Sequence, residues 1–72
     1  MQRADAPPVS MLRQVRLARG LSGRELARAC GVNPGLLSAI EHQRTAPWPA
    51  FRRRAAAALE VDEALLFGQV HA

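Results

Sequence analysis

Residues 21–41 read LSGRELARACGVNPGLLSAIE, and this stretch decides the fold. Ser22 and Glu25 stand at the spacing of a capping box: the Ser22 hydroxyl can accept from a backbone N–H near Glu25, and Glu25 can reach back to Ser22. Leu26, Ala27 and Cys30 follow at helical spacing. Gly31 stops that helix, because a residue without a Cβ takes positive φ at little cost. Val32 is the single apolar plug of the turn. Asn33 caps a second helix and Pro34 opens it, giving up an N–H that would be orphaned there anyway. Leu37 and Ile40 turn it inward. The stretch therefore predicts two short capped helices joined by a tight turn.

Outward from this pair the chain stays helical. On the N-terminal side Ser10 can cap a first helix over residues 11–19, with Leu12 and Val15 inward and Gly20 as its stop. Arg13, Arg16 and Arg19 share one face of it, which reads as a solvated stripe, except that Arg16 lies close to the apolar side. On the C-terminal side His42 to Trp48 breaks the pattern and reads as a loop. Pro49 or its neighbour starts a fourth helix, PAFRRRAAAALEV, where Phe51, Ala55, Ala58 and Leu59 recur at helical spacing and the Ala run adds intrinsic helicity. Val61 packs behind it. Asp62 is expected to cap a last helix, Glu63 to Phe67, stopped by Gly68. Residues 1–9, with Pro7 and Pro8, read as a disordered arm, residues 10–68 as one domain and residues 69–72 as a tail. The class is all-α: a compact five-helix domain around a central helix-turn-helix.

Composition bounds what such a domain can do. Seventy-two residues suffice for one small core. The lone Cys30 excludes an intramolecular disulfide and fits a reducing cytoplasm. No apolar run is long enough to span a membrane, and MQRADAPPV lacks the apolar core of a signal peptide. The net charge of +4 is unevenly spread: residues 10–54 hold nine Arg against Glu25 and Glu41, or +7, whereas residues 55–72 carry three acids and no base. A cationic belt over the central helices is the footprint expected for a phosphate backbone. His42 and His71 have no metal-ligand spacing with Cys30 and read as polar surface, so no metal or cofactor is expected. No nucleophile–base set, paired carboxylates or phosphate-cradling glycine loop can be assembled, which argues against an enzyme.

Taken in order, LRQVRLARGLS, ELARACGV, LLSAIE and AAALEVDEALLF make the chain resemble the Cro and phage-repressor family of helix-turn-helix domains over about residues 11–67. The resemblance implies a five-helix domain whose third helix, Pro34 to Glu41, enters the major groove of double-stranded DNA. It also implies an ion pair between Arg16 on the first helix and Glu41 at the end of the third. The positions at which the family usually touches bases match Pro34, Gly35 and Ala39, and none of these can make the bidentate hydrogen bonds that discriminate base pairs. Asn33, Ser38, the Ala39 methyl and Leu36, expected to be exposed, remain for the groove.

For phosphates, the family commonly places Gln where this chain has Gly23, which leaves the N-terminus of the second helix, from Ser22 on, to offer backbone N–H groups. Arg24 either substitutes for that Gln or is free surface. Arg44 and Thr45 fall in the loop where the family makes phosphate contacts. Of the run Arg52-Arg53-Arg54, the first two lie nearest the helix start, and Arg54 is expected to be solvated. Trp48 can cover the core edge, pack on sugar-phosphate or form a dimer contact. Leu65, Leu66, Phe67 and Val70 exceed what one short helix needs internally, so they either close the core or one or two of them, with Leu66, Phe67 and Val70 the candidates, line a homodimer seam. The expected activity is that of a repressor-type regulator acting as a homodimer. The alternative is a protein-interaction module on the same fold, such as an antitoxin or a partner of a larger regulator.

Overall fold

The computed structural model of the chain describes residues 10–68; the N-terminal arm, Val70 and the rest of the tail lie outside the described residues. Five helices follow one another: α1 (Met11–Ala18), α2 (Gly23–Cys30), α3 (Pro34–Glu41), α4 (Pro49–Leu59) and α5 (Glu63–Phe67), with no strand among the described residues. Their starts follow the caps expected. The Ser10 hydroxyl accepts from the Arg13 N–H at 3.2 Å, and Ser22 and Glu25 form the reciprocal box, at 3.0 Å and 2.7 Å. Asn33 Oδ1 accepts from the Leu36 N–H at 2.7 Å. Asp62 holds the cap position of α5 without the side-chain bond expected of it.

The helix ends share one device. In α1 to α4 the chain leaves through a residue at positive φ: Gly20, Gly31, Gln43 and Glu60. Behind each, an N–H reaches five residues back, as in Leu21 to the Arg16 carbonyl and Val32 to the Ala27 carbonyl. Arg44 does the same to Ala39, and Val61 to Ala56. Two of these left-handed positions lack glycine. Consequently α4 stops at Leu59, short of the Glu60 and Val61 that the sequence pattern carried along with it.

Phe51 sits fully buried at the centre, with Leu12, Leu26, Leu37, Leu59 and Cys30 around it, and Ala27, Ile40, Ala55 and Leu66 completing the core. Each Leu in such a place contributes about 1.5–3 kcal/mol relative to an exposed one. α2 packs on both α3 and α4, where Ala27 and Ala55 let the backbones come close, and α5 closes the base against α1 and α4. Burial pushes the Cys30 thiol above its ordinary value, opposed by the nearby Arg54 charge.

The aromatic residues form one chain: Trp48 lies 5.4 Å from Phe51, and Phe67 meets Phe51 edge-on at 6.2 Å. Trp48 thus lies over Phe51, while 38% of it stays exposed. Leu66, which the sequence offered for a dimer seam, is only 4% exposed and belongs to the core; its neighbour Leu65, at 50%, is the outward one. The short α5 has to bury one residue between α1 and α4, and Leu66 is the one turned that way.

Candidate nucleic-acid interface

The orientation of α3 is set from α1. Arg16, 7% exposed, donates from Nε to Glu41 Oε2 at 2.6 Å and from Nη2 to Oε1 at 3.0 Å; Glu41 is 4% exposed. The third guanidinium nitrogen, Nη1, donates to the Leu21 carbonyl at 2.9 Å, just ahead of α2. One planar group therefore ties together the last turn of α1, the entry to α2 and the end of α3. The hydrogen bond to Glu41 holds the guanidinium above its ordinary pKa. The pair that the resemblance implied is present.

Glu41, Leu37 and Ile40 point α3 inward, so its opposite face carries Gly35, Ser38, Ala39 and then His42. Gly35, Ser38 and His42 are exposed and Ala39 is half-buried. Leu36, expected to be exposed, is half-buried and packs against the core. It stands one helical turn before the buried Ile40 and so is turned partly inward, which leaves the Ala39 methyl as the apolar group of this face. Asn33 Oδ1 is occupied by the cap, so its amide nitrogen is the part free to donate. Ser38 and His42 lie together: the Ser38 hydroxyl is 3.4 Å from His42 Nδ1, and that nitrogen is 2.8 Å from the Ser38 carbonyl.

Two helix N-termini border this face. At α2 the Glu25 N–H is bound by Ser22 and the Leu26 N–H by the Ser22 carbonyl, which leaves Gly23 and Arg24 with open N–H groups. The Ser22 N–H and hydroxyl hold the Glu25 carboxyl below its ordinary pKa, so this end of α2 already carries an anion of its own. At α3, Pro34 has no N–H and Leu36 is capped, so Gly35 alone offers one. A Cβ at Gly23 would lie 3.9 Å from Leu37 and 4.0 Å from the Arg16 guanidinium, ordinary contact distances. Close backbone approach does not explain that glycine.

The arginines divide sharply. Arg52 does not reach out as expected: it pairs with Glu63 across 3.3 Å and lies over the Phe67 ring at 5.7 Å, bracing α4 against α5. Its Nε meets the carboxylate without hydrogen-bond geometry. Arg54 is exposed, as expected, and its Nη1 also reaches the Cys30 carbonyl at the end of α2, 3.4 Å away. Arg24, Arg28, Arg44 and Arg53 are exposed and make no ion pair among the described residues. Arg24 and Arg28, one helical turn apart, line a shallow groove with Ala27, Val32 and Pro34 that leads from α2 to the first residue of α3. Thr45 is half-buried after the turn, its N–H 3.3 Å from the Ala39 carbonyl.

Two residues of this surface were not singled out from the sequence. Arg28 follows Arg24 at the spacing that puts both on one helix face, a signal that was available. His42 read as loop because the helical pattern ended before it; the return of its ring onto Ser38 has no sequence signature. Among family profiles, that of the Helix-turn-helix domain matches residues 10–66. A search of curated proteins found no match.

Proposed function

Since the chain belongs to the helix-turn-helix domain family, of the Cro-like type, we propose that it is a repressor-type transcriptional regulator that binds double-stranded DNA as a homodimer, with α3 in the major groove. The observation that carries this is the set of exposed Arg24 and Arg28 at the start of α3 and Arg44 at its end, none in an ion pair among the described residues, flanking a face whose middle holds only Gly35, Ser38 and Ala39. Arg24, Arg28, Arg44 and the open N–H groups of Gly23 and Arg24 hold phosphates, with Arg53 joining them from α4. Arg52, spent on Glu63, contributes through α5 instead. Direct readout is sparse: the Asn33 amide, the Ser38 hydroxyl and the Ala39 methyl, the last against a thymine methyl. Selectivity then draws on half-site spacing and DNA deformability, acting through the dimer. Trp48 and Phe67 remain available to a dimer seam, and a reducing compartment such as the cytoplasm suits the buried, unpaired Cys30.

One observation favours a second reading. A face of Gly35, Ala39 and Ser38 offers little to base edges, which suits a module that binds protein through the same surface. Titration of duplex DNA at two salt concentrations separates the two. If Arg24, Arg28, Arg44 and Arg53 each neutralise one phosphate per protomer, a dimer gives a log–log slope of about −7. Binding that is absent at low salt, or insensitive to salt, refutes the DNA reading.

A further inference from the structure

We infer that His42 is a DNA-phosphate contact whose protonation makes binding pH-dependent; this rests on the DNA-binding reading above. A carbonyl only accepts, so the 2.8 Å contact to the Ser38 carbonyl requires a proton on His42 Nδ1. The ring is thereby held beside Ser38, on the exposed face of α3, with Nε2 as its outer nitrogen. In the neutral ring Nε2 is then an acceptor, which repels a phosphate oxygen. In the cation it becomes a charged donor. The same atom changes from opposing a phosphate to binding it.

The surroundings isolate this effect. The charged neighbours along the chain are Glu41, whose carboxylate is turned inward onto Arg16, and Arg44, exposed two residues on. No ion pair or hydrogen bond from α1, α2, α4 or α5 reaches the ring. On the exposed face of α3 His42 is the one side chain among the described residues that can pass between a neutral and a cationic form.

The test is fluorescence anisotropy of a labelled duplex at about pH 5.5 and about pH 8, on either side of histidine's ordinary range, each at two salt concentrations. The native chain should bind up to about fivefold tighter per His42 at the lower pH, the scale of an exposed ion pair. Its log–log salt slope should steepen there by about 0.9 per His42. His42→Gln should remove both effects, and it retains His71 as an internal control. His42→Arg should bind at both pH values as the native chain does at the lower one. Native binding that is independent of pH, or a pH dependence that survives in His42→Gln, overturns the inference and leaves the DNA-binding reading standing. No binding at low salt at either pH overturns both.

Discussion

Replacing Arg16 with Ala tests the physical linchpin of the fold. The guanidinium is buried, makes two hydrogen bonds to Glu41 and one to the Leu21 carbonyl, and among the described residues Glu41 has no other ion-pair partner. Its removal leaves a buried carboxylate uncompensated, which costs about 3–5 kcal/mol, and an unserved carbonyl adds up to about 1 kcal/mol. A chain of 72 residues has about 4–11 kcal/mol in total, at roughly 0.05–0.15 kcal/mol per residue. At about 4–8 °C per kcal/mol the melting temperature should fall by at least about 12 °C. Urea denaturation followed by far-UV circular dichroism reads the loss, with Arg53→Ala, an exposed and unpaired position, as the control within about 0.5 kcal/mol of native. Arg16→Met combined with Glu41→Leu should recover most of the stability, because removing both charges removes the desolvation debt as well. A loss in Arg16→Ala no larger than in Arg53→Ala would refute the reasoning.

Further outcomes follow from single positions. Gln43 holds φ 62°, a left-handed conformation that costs a residue with a Cβ roughly 1–2 kcal/mol. After the added freedom of the unfolded chain, Gln43→Gly should stabilise by about 0.5–1 kcal/mol in the same urea assay, and an unchanged or lowered midpoint counts against strain there. The Glu25 carboxyl has a folded pKa lowered by Ser22, so its stabilising contribution is present above the ordinary carboxylate value and lost as pH falls through the folded one. The melting-temperature gap between native protein and Glu25→Gln should close on acidification; a constant gap contradicts the charged capping box. At Gly35 a Cβ would lie 3.3 Å from Asn33 Oδ1, so Gly35→Gln requires the cap to give by a few tenths of an ångström. It should fold and shift sequence preference in a selection from random DNA, and unchanged preference means that α3 does not face the bases.

What was legible in the sequence was whatever local chemistry decides. Ser22 with Glu25, and Asn33 before Pro34, place the starts of α2 and α3 where the structure has them, because a cap acts within one turn. The end of α3 at Glu41 was legible from the break in pattern at His42, but the end of α4 was not, since Glu60 takes left-handed geometry without the glycine that announces it. Successive helical residues are turned about 100° apart, so the run Arg52-Arg53-Arg54 had to point three ways, but only the placement of α5 decides that Arg52 is spent on Glu63 and Phe67. The choice between Leu65 and Leu66 has the same origin. The Arg16–Glu41 pair spans 25 residues; it came from the family resemblance, since no local pattern joins the two.

The most direct measurement of the central claim is a two-dimensional amide NMR titration of the protein with duplex DNA at low salt. Binding through the α2–α3 face predicts that the largest shifts fall on Gly23, Arg24, Gly35, Ser38, Ala39, His42 and Arg44. Ala57 and Leu65, on α4 and α5, should move little. Shifts concentrated on α4 and α5, with the amides of α3 unmoved at saturation, would contradict the claim that α3 is the DNA-reading helix.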